Sequence, residues 1–207
     1  MCGVAGYTGT ECPELISKMM ADNASRGPDG TGAYSQNGVH FGHTRLKIID
    51  IKHGGQPMVR ENGRYCVCYN GEIYNYGELR RDIEGKGYRF TTTCDTELIP
   101  LGFAAFGETL FERLEGMFAF ALHDKKSGHV FLVRDHLGIK PLYFANVGRD
   151  IVFSSTARAV ARHPKVDCAL NPAAISEFLQ YRYLKSENHF FSGIKTVPPG
   201  SSLKWSD

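Results

Sequence analysis

Met1-Cys2-Gly3-Val4-Ala5-Gly6-Tyr7 opens the chain, and its second residue decides how the rest is read. A cysteine directly after the initiator methionine becomes the first residue once Met1 is removed, and Cys is small enough for that removal to be routine. Cys2 then carries two functional groups. Its thiol is a nucleophile, and its own α-amino group, with an ordinary pKa of about 7.7 to 8.0, is a base that is partly neutral at physiological pH. A free thiol titrates near ~8.5 and is only a few per cent thiolate at neutral pH, so a base in the same residue repairs the deficit without a histidine. Gly3 and Gly6 are expected to let backbone and substrate come close to the sulfur. Taken alone, the dipeptide favours a plainer reading, a buried first strand that happens to begin Met-Cys.

The 207 residues, 42% hydrophobic and 12% aromatic, suffice for one large domain or two small ones, and we expect one spanning 1–207. Net charge is +2 with Lys and Arg scattered, which argues against a nucleic-acid groove or a membrane-surface patch and for a small soluble ligand. No apolar run approaches the ~20 residues of a membrane span, and the N-terminus lacks the layout of a signal peptide, so a cytoplasmic location is expected. The six cysteines, Cys2, Cys12, Cys66, Cys68, Cys94 and Cys168, form no C-x-x-C pair and read as reduced thiols, with no metal site. Cys66 and Cys68 lie two apart in Tyr65-Cys66-Val67-Cys68-Tyr69, which puts both on one face of a strand and favours core packing.

Along the chain, Val4–Tyr7 reads as a short buried strand, and Pro13 opens a helix running toward Ser25 with Leu15, Ile16, Met19 and Met20 at helical spacing. Arg26-Gly27-Pro28-Asp29-Gly30 is a turn. Residues 32–35 and 39–44 make a hairpin about Gln36-Asn37-Gly38. Ile48, Ile49 and Ile51 continue the apolar pattern until His53-Gly54-Gly55-Gln56-Pro57 breaks it. The strand 65–69 leads into Asn70-Gly71-Glu72-Ile73-Tyr74-Asn75, then a helix bearing Leu79 and Ile83 stops at Gly85-Lys86-Gly87. The polar run 91–96 caps a helix with Leu98, Ile99 and Phe103, and a further turn covers 109–114. Strands follow at 117–123, 130–134, 142–145 and 151–154, then an amphipathic helix over 172–183 carrying Ile175, Phe178 and Leu179, and a terminal strand after Pro198-Pro199-Gly200. Strands come in antiparallel runs rather than alternating with helices, an α+β pattern of packed sheets with helices outside.

Six stretches, in order, carry a resemblance: Cys2-Gly3-Val4-Ala5-Gly6, Arg26-Gly27-Pro28-Asp29-Gly30, Gly42-His43-Thr44-Arg45-Leu46, Tyr69-Asn70-Gly71-Glu72-Ile73-Tyr74-Asn75, Cys94-Asp95-Thr96-Glu97, and Arg134-Asp135-His136-Leu137-Gly138-Ile139-Lys140-Pro141-Leu142-Tyr143. Together they resemble the class II glutamine amidotransferase domain of the asparagine synthetase family, a member of the N-terminal-nucleophile hydrolases. The resemblance covers nearly the whole chain. It implies a four-layer αββα sandwich of two mainly antiparallel sheets, and a glutaminase that releases ammonia through a γ-glutamyl thioester on Cys2.

Splitting a side-chain amide needs a nucleophile, a proton donor for ammonia, and donors aimed at the developing oxyanion. The resemblance makes Cys2 the first two and gives the oxyanion to the Asn70 amide and the Gly71 N–H. It makes Arg45 the clamp of the glutamine carboxylate, for which a planar bidentate donor is apt. Asp95 with Glu72 holds the ammonium, and Leu46 and Ile48 complete the substrate wall. His43, His123 and His136 are read as structural. Thr156 stands where the family usually has an acidic residue, and Ser25 where it often has His; both lie off the glutaminase residues and put only coupling to a synthetase in question.

The family's ATP-pyrophosphatase domain, with its Ser-Gly-Gly-x-Asp-Ser loop, has no counterpart here. The expectation is an excised domain or a free-standing glutaminase serving a separate ATP-dependent synthetase domain or subunit. ATP and magnesium are then needed only in that partner, with no cofactor or metal in the glutaminase itself. No nucleic-acid or membrane partner is expected, a homo-oligomer stays open, and the acceptor is unnamed, although the motif forms favour the asparagine biosynthesis branch. The competing expectation is a catalytically silent glutamine-binding regulatory or docking domain.

Overall fold

The computed structural model describes residues 1–185 and 187–206. In chain order the elements are β1 (Gly3–Thr8), α1 (Pro13–Asp22), β2 (Gly30–Gln36), β3 (Val39–Arg45), β4 (Met58–Arg60), β5 (Tyr65–Ile73), α2 (Tyr76–Gly85), α3 (Leu98–Phe106), α4 (Leu110–Arg113), β6 (Gly116–Asp124) and β7 (His129–Arg134). They are followed by β8 (Tyr143–Val147), β9 (Asp150–Ser154), α5 (Ala157–Val160), α6 (Pro172–Tyr181), β10 (Lys195–Thr196) and β11 (Ser202–Trp205). The strands form two sheets, ordered β10-β8-β9-β1-β3-β2 and β11-β7-β6-β5-β4, with every strand pairing antiparallel.

Period-two alternation sorts side chains into three apolar layers. Between the sheets lie Val4, Val39, Phe41, Cys66, Cys68, Ala119, Ala121, Val130, Leu132, Ile151 and Phe153. The alternate residues of β5, β6 and β7, such as Val67, Phe118, Phe120 and Phe131, pack outward on Leu79 and Ile83 of α2 and Leu98, Ile99 and Leu101 of α3. Ala5, Tyr7 and Val152 face the other way, onto Leu15, Ile16 and Met19 of α1 and Ala159 and Val160 of α5. Helix, sheet, sheet, helix is therefore the layer order. Each fully buried Val, Leu, Ile, Phe or Met contributes about 1.5–3 kcal/mol by leaving water, so three separate apolar layers hold the sandwich together.

One local expectation holds, and several change. The Asn37-Gly38 turn has both residues at positive φ, 51° and 70°, as a two-residue hairpin requires. The helix from Pro13 stops at Asp22, and a separate 3-10 turn covers Ala24–Arg26. The isoleucines do not extend the core: Ile48 is 74% exposed, in a loop after β3. Thr91 and Thr92 do not cap the next helix but bond Glu97 instead. The last helix ends at Tyr181 with Phe178 and Leu179 exposed and Ala174 as its buried residue. Gly3 and Gly6 serve packing rather than access to sulfur. A Cβ at Gly3 meets Thr44 Oγ1 at 2.4 Å, and one at Gly6 meets Phe153 Cζ at 2.3 Å.

Candidate active site

The face that carries Cys66 and Cys68 continues to Asn70, two residues on. By the same alternation Val4 leads back to Cys2, Phe41 and His43 lead on to Arg45, and Ala119 leads back to Met117. Four strands from two sheets thus bring Cys2, Arg45, Asn70 and Met117 to one open end of the inter-sheet layer. There they line a cavity of about 240 Å³ with Leu46, Ile48, Ile49, Gln56, Tyr69, Gly71, Glu72, Cys94, Asp95, Thr96 and Lys140. Cys2, Asn70, Gly71, Arg45, Leu46, Ile48, Glu72 and Asp95, all the residues singled out from sequence, share that cavity. Its size suits a small molecule, below the range of drug-sized ligands.

Cys2 sits at the start of β1. Its Sγ receives the Leu46 N–H at 3.4 Å and approaches the Leu46 carbonyl oxygen at 3.7 Å. Arg26 Nε donates to the Cys2 carbonyl at 3.1 Å and so anchors its backbone. With Met1 in place the nitrogen of Cys2 is a peptide amide, and Met1 lies beside the thiol at the cavity wall.

Asn70 is 2% exposed, and its Nδ2 has no hydrogen-bond partner. A buried amide N–H without a partner costs about 1–3 kcal/mol, so this donor is held ready for something that enters the cavity. Gly71 adds a second donor. The short β4 pairs only with Tyr65–Val67, leaving the rest of β5 as a sheet edge. The Tyr69 N–H on that edge goes to Gln56 Oε1 at 2.6 Å and the Ile73 N–H to Asp95 Oδ2 at 3.3 Å. Alternation puts the Gly71 N–H between them, facing the cavity. Its cross-strand neighbour Phe118 confirms the direction, since the N–H and C=O of Phe118 both turn away to Asp135. Only glycine fits here: a Cβ would lie 2.3 Å from the Met117 carbonyl oxygen.

On the opposite wall, Arg45 is buried, and its Nη atoms donate to the carbonyls of Ile49 (3.1 Å), Asp50 (2.7 Å) and Ile51 (3.2 Å). The guanidinium therefore shapes the loop over the cavity and keeps its remaining N–H groups for other partners. The loop is also tied down by Asp50, whose carboxylate accepts from Thr93 N and Oγ1 at 3.0 Å each. Asp95 accepts from the Tyr69 hydroxyl at 2.6 Å. Burial pushes its carboxyl above the usual value, and the nearby Glu72 adds to the rise, against the opposing pull of Tyr69, Ile73 and Thr96.

Sequence reasoning missed Gln56, Tyr69, Thr96 and Lys140. Gln56 bridges the Tyr69 N–H to Thr96 Oγ1 (3.3 Å), and nothing in a Gly-rich loop marks it. Lys140 is carried in by a tight loop. Asp135 accepts from the N–H groups of Leu137, Ile139 and Lys140, while Arg134 Nε donates to the Lys140 carbonyl. The motif over 134–143 was visible, but not that its last part reaches the cavity.

The three histidines lie apart from the thiol's contacts. His43 Nε2 meets the Tyr69 carbonyl at 3.1 Å, and burial pushes its imidazole down to about 4, so it is neutral. Burial does the same to His123. His136 is exposed. Among the described residues no group of three His, Cys, Asp or Glu is placed to hold a metal ion, and no helix is long and apolar enough to cross a membrane.

A thiol, a buried amide donor without a partner and an acidic group thus meet at the open end of a four-layer antiparallel sandwich. The family model for the glutamine amidotransferase domain matches residues 1–207, and the chain belongs to that family. Glutamine-hydrolyzing asparagine synthetase 1 of Bacillus subtilis is 35% identical over 98% of this chain and 33% of its own length. Glutamine-hydrolyzing asparagine synthetase 2 of the same organism is 39% identical over 99% of this chain and 29% of its own length. The chain thus spans about a third of the length of these curated relatives. In fold it is similar to the glutamine phosphoribosylpyrophosphate amidotransferase of B. subtilis, with a TM-score of 0.71 at 19% identity, covering 100% of this chain and 47% of that one.

Proposed function

We propose that the chain is a glutaminase module: it hydrolyses the side-chain amide of glutamine at Cys2 and supplies ammonia to an ATP-dependent asparagine synthetase-like domain or subunit. The observation that carries this reading is the partnerless, buried Nδ2 of Asn70 in the same cavity as the Cys2 thiol and the open edge at Gly71. With Met1 removed, the α-amine of Cys2 takes the thiol proton, and the sulfur attacks the amide carbon. The oxyanion is met by Asn70 Nδ2 and the Gly71 N–H. The C–N bond then breaks, and ammonia leaves with the proton returned by the α-ammonium. Water hydrolyses the γ-glutamyl thioester to glutamate and restores the thiol.

Arg45 takes the substrate carboxylate, Asp95 and Glu72 the α-ammonium, and Leu46 and Ile48 the methylene chain. We read residues 1–207 as one such unit, acting without metal or organic cofactor, in the cytoplasm; ATP and magnesium belong to the synthetase partner. Cys2→Ala should abolish glutamine hydrolysis while the thermal unfolding transition persists. Intact mass should separate an active, Met-free population from an inactive one that keeps Met1. Substantial turnover by a folded Cys2→Ala protein sinks the assignment.

A further inference from the structure

We propose that Tyr69 is a positioning residue for substrate selection. Its hydroxyl holds one oxygen of Asp95 so that the other is presented, charged, to the α-ammonium of an amino-acid amide. This deepens the glutaminase reading and rests on it. Tyr69 directly precedes Asn70 on β5, so alternation sends its ring away from the inter-sheet face into the helix-side layer with Leu98 and Phe118. From that layer its hydroxyl reaches Asp95 at 2.6 Å, and both this hydroxyl and the Ile73 N–H fall on Oδ2. Oδ1 meets the Cys94 thiol at 3.8 Å, a weak donor at long range. The two oxygens are thus unequal: Oδ2 takes the Tyr69 hydroxyl and the Ile73 N–H, and beyond these only the Cys94 thiol and the Thr96 backbone N–H act on the carboxylate.

The charge of Asp95 is what an ammonium needs, and its surroundings oppose that charge. The group is 7% exposed. Glu72 on β5 is a like charge, Cys94 directly precedes Asp95 in the chain, and Arg45, Lys140 and Cys2 line the same cavity. Among these, the Tyr69 hydroxyl makes the shortest bond to the carboxylate. Burial with Asp95 alongside holds the Tyr69 phenol well above its ordinary value, so it stays a donor across the working range of pH. Losing a hydrogen bond to a charged group typically shifts such an equilibrium by about one to two pH units.

The test compares wild type and Tyr69→Phe on L-glutamine and on its desamino analogue, 4-carbamoylbutyrate, from about pH 5 to about pH 8. In the ratio of kcat/KM for glutamine to that for the analogue, the titration of the Cys2 α-amine cancels, and the acid limb of that ratio should move up by about one to two pH units. On the acid side KM should rise about tenfold, with kcat changed by less than about twofold. The analogue has no ammonium, so its slow hydrolysis should not respond to the substitution. In Asp95→Asn, adding Tyr69→Phe should have no further effect on glutamine.

An unmoved acid limb, or an equal loss with both substrates, overturns the proposal. Should Tyr69→Phe fail to fold, 3-fluorotyrosine placed at 69 makes a stronger donor and should move the limb down instead; no movement overturns the proposal equally. If wild type hydrolyses no glutamine, the glutaminase reading fails by itself. The ¹³C carboxyl titration of Asp95 in wild type and variant then still decides, since an unchanged midpoint removes the role of Tyr69.

Discussion

Asp95 and Glu97 stand two residues apart on one 3-10 turn, both buried, yet the chain around them does opposite things. Glu97 is 0% exposed and surrounded by donors: Thr91 N and Oγ1, Thr92 N and Oγ1, and Arg60 Nε at 2.6 Å. Burial pushes its carboxyl up, but the bonds from Thr92, Thr91 and Arg60 outweigh that and hold it down to about 2. Asp95 faces the cavity with one oxygen short of partners and is pushed up. Asn70, across the cavity, is short of a partner in the complementary sense, as a donor without an acceptor. Groups that the fold saturates brace the 91–97 segment, while groups that it leaves wanting are free to meet a ligand. Breaking the first kind should cost stability, and breaking the second should cost activity.

The largest effect is expected at Asp95. Asp95→Asn removes the buried one of the two carboxylates facing the ligand ammonium, and loss of a buried charge partner typically costs 2–5 kcal/mol, so KM for glutamine should rise roughly 30- to several-thousand-fold. Its melting temperature should hardly fall, since the substitution also removes a buried charge. A variant that binds glutamine normally would move Asp95 out of the site. Next comes Asn70→Ala, for which loss of one oxyanion donor predicts turnover about 100- to 1000-fold lower with a far smaller change in binding. Poor binding with normal turnover would instead make Asn70 a recognition group.

The smallest effect on chemistry, though a large one on folding, is expected for Glu97→Gln. A carboxyl held at about 2 instead of 4.5 contributes roughly 3 kcal/mol, fully present above pH ~4.5 and lost as pH falls toward ~2. Denaturant titrations at neutral pH should show about that deficit, and the gap between the two proteins should close on acidification. A constant gap across that window would mean that Glu97 acts through shape rather than charge. Turnover per folded molecule should change much less than in Asn70→Ala.

The same contrast marks what the pattern of residues reveals. Alternation in Tyr65-Cys66-Val67-Cys68-Tyr69 puts the two cysteines in the core, and extending it by one step places Asn70 on the same strand face. Such local periodicity needs no knowledge of the rest of the chain. It misleads where apolar residues serve a loop: Ile48, Ile49 and Ile51 look like a continued strand, but the backbone leaves the sheet after Arg45 because three carbonyls there turn to its guanidinium. It misleads again at Phe178 and Leu179, where the amphipathic stripe is only partly covered: Phe178 meets Phe190 edge-on, and Leu179 stays 66% exposed. The polar run 91–96 shows the same limit, since only the fold reveals that Thr91 and Thr92 bond Glu97 and Thr93 bonds Asp50, none of them capping a helix.

By itself, then, the order of residues determined the strand faces, the hairpin at Asn37-Gly38, and the set of candidate groups from Cys2 to Asp95. The first two depend on period-two geometry and turn chemistry, readable within short windows, whereas the candidate groups rest on the resemblance carried by six ordered stretches across nearly the whole chain. Tertiary structure alone decided that Gln56, Tyr69 and Lys140 join the cavity, and that Asn70 and Asp95 are left with unmet polar capacity while Glu97 is saturated. Hydrogen-bond satisfaction of a buried group depends on which distant strand, loop and turn meet around it. Neighbours dozens of residues away, such as Arg60 for Glu97 and Tyr69 for Asp95, are set by the packing of two sheets and leave no periodic trace along the chain.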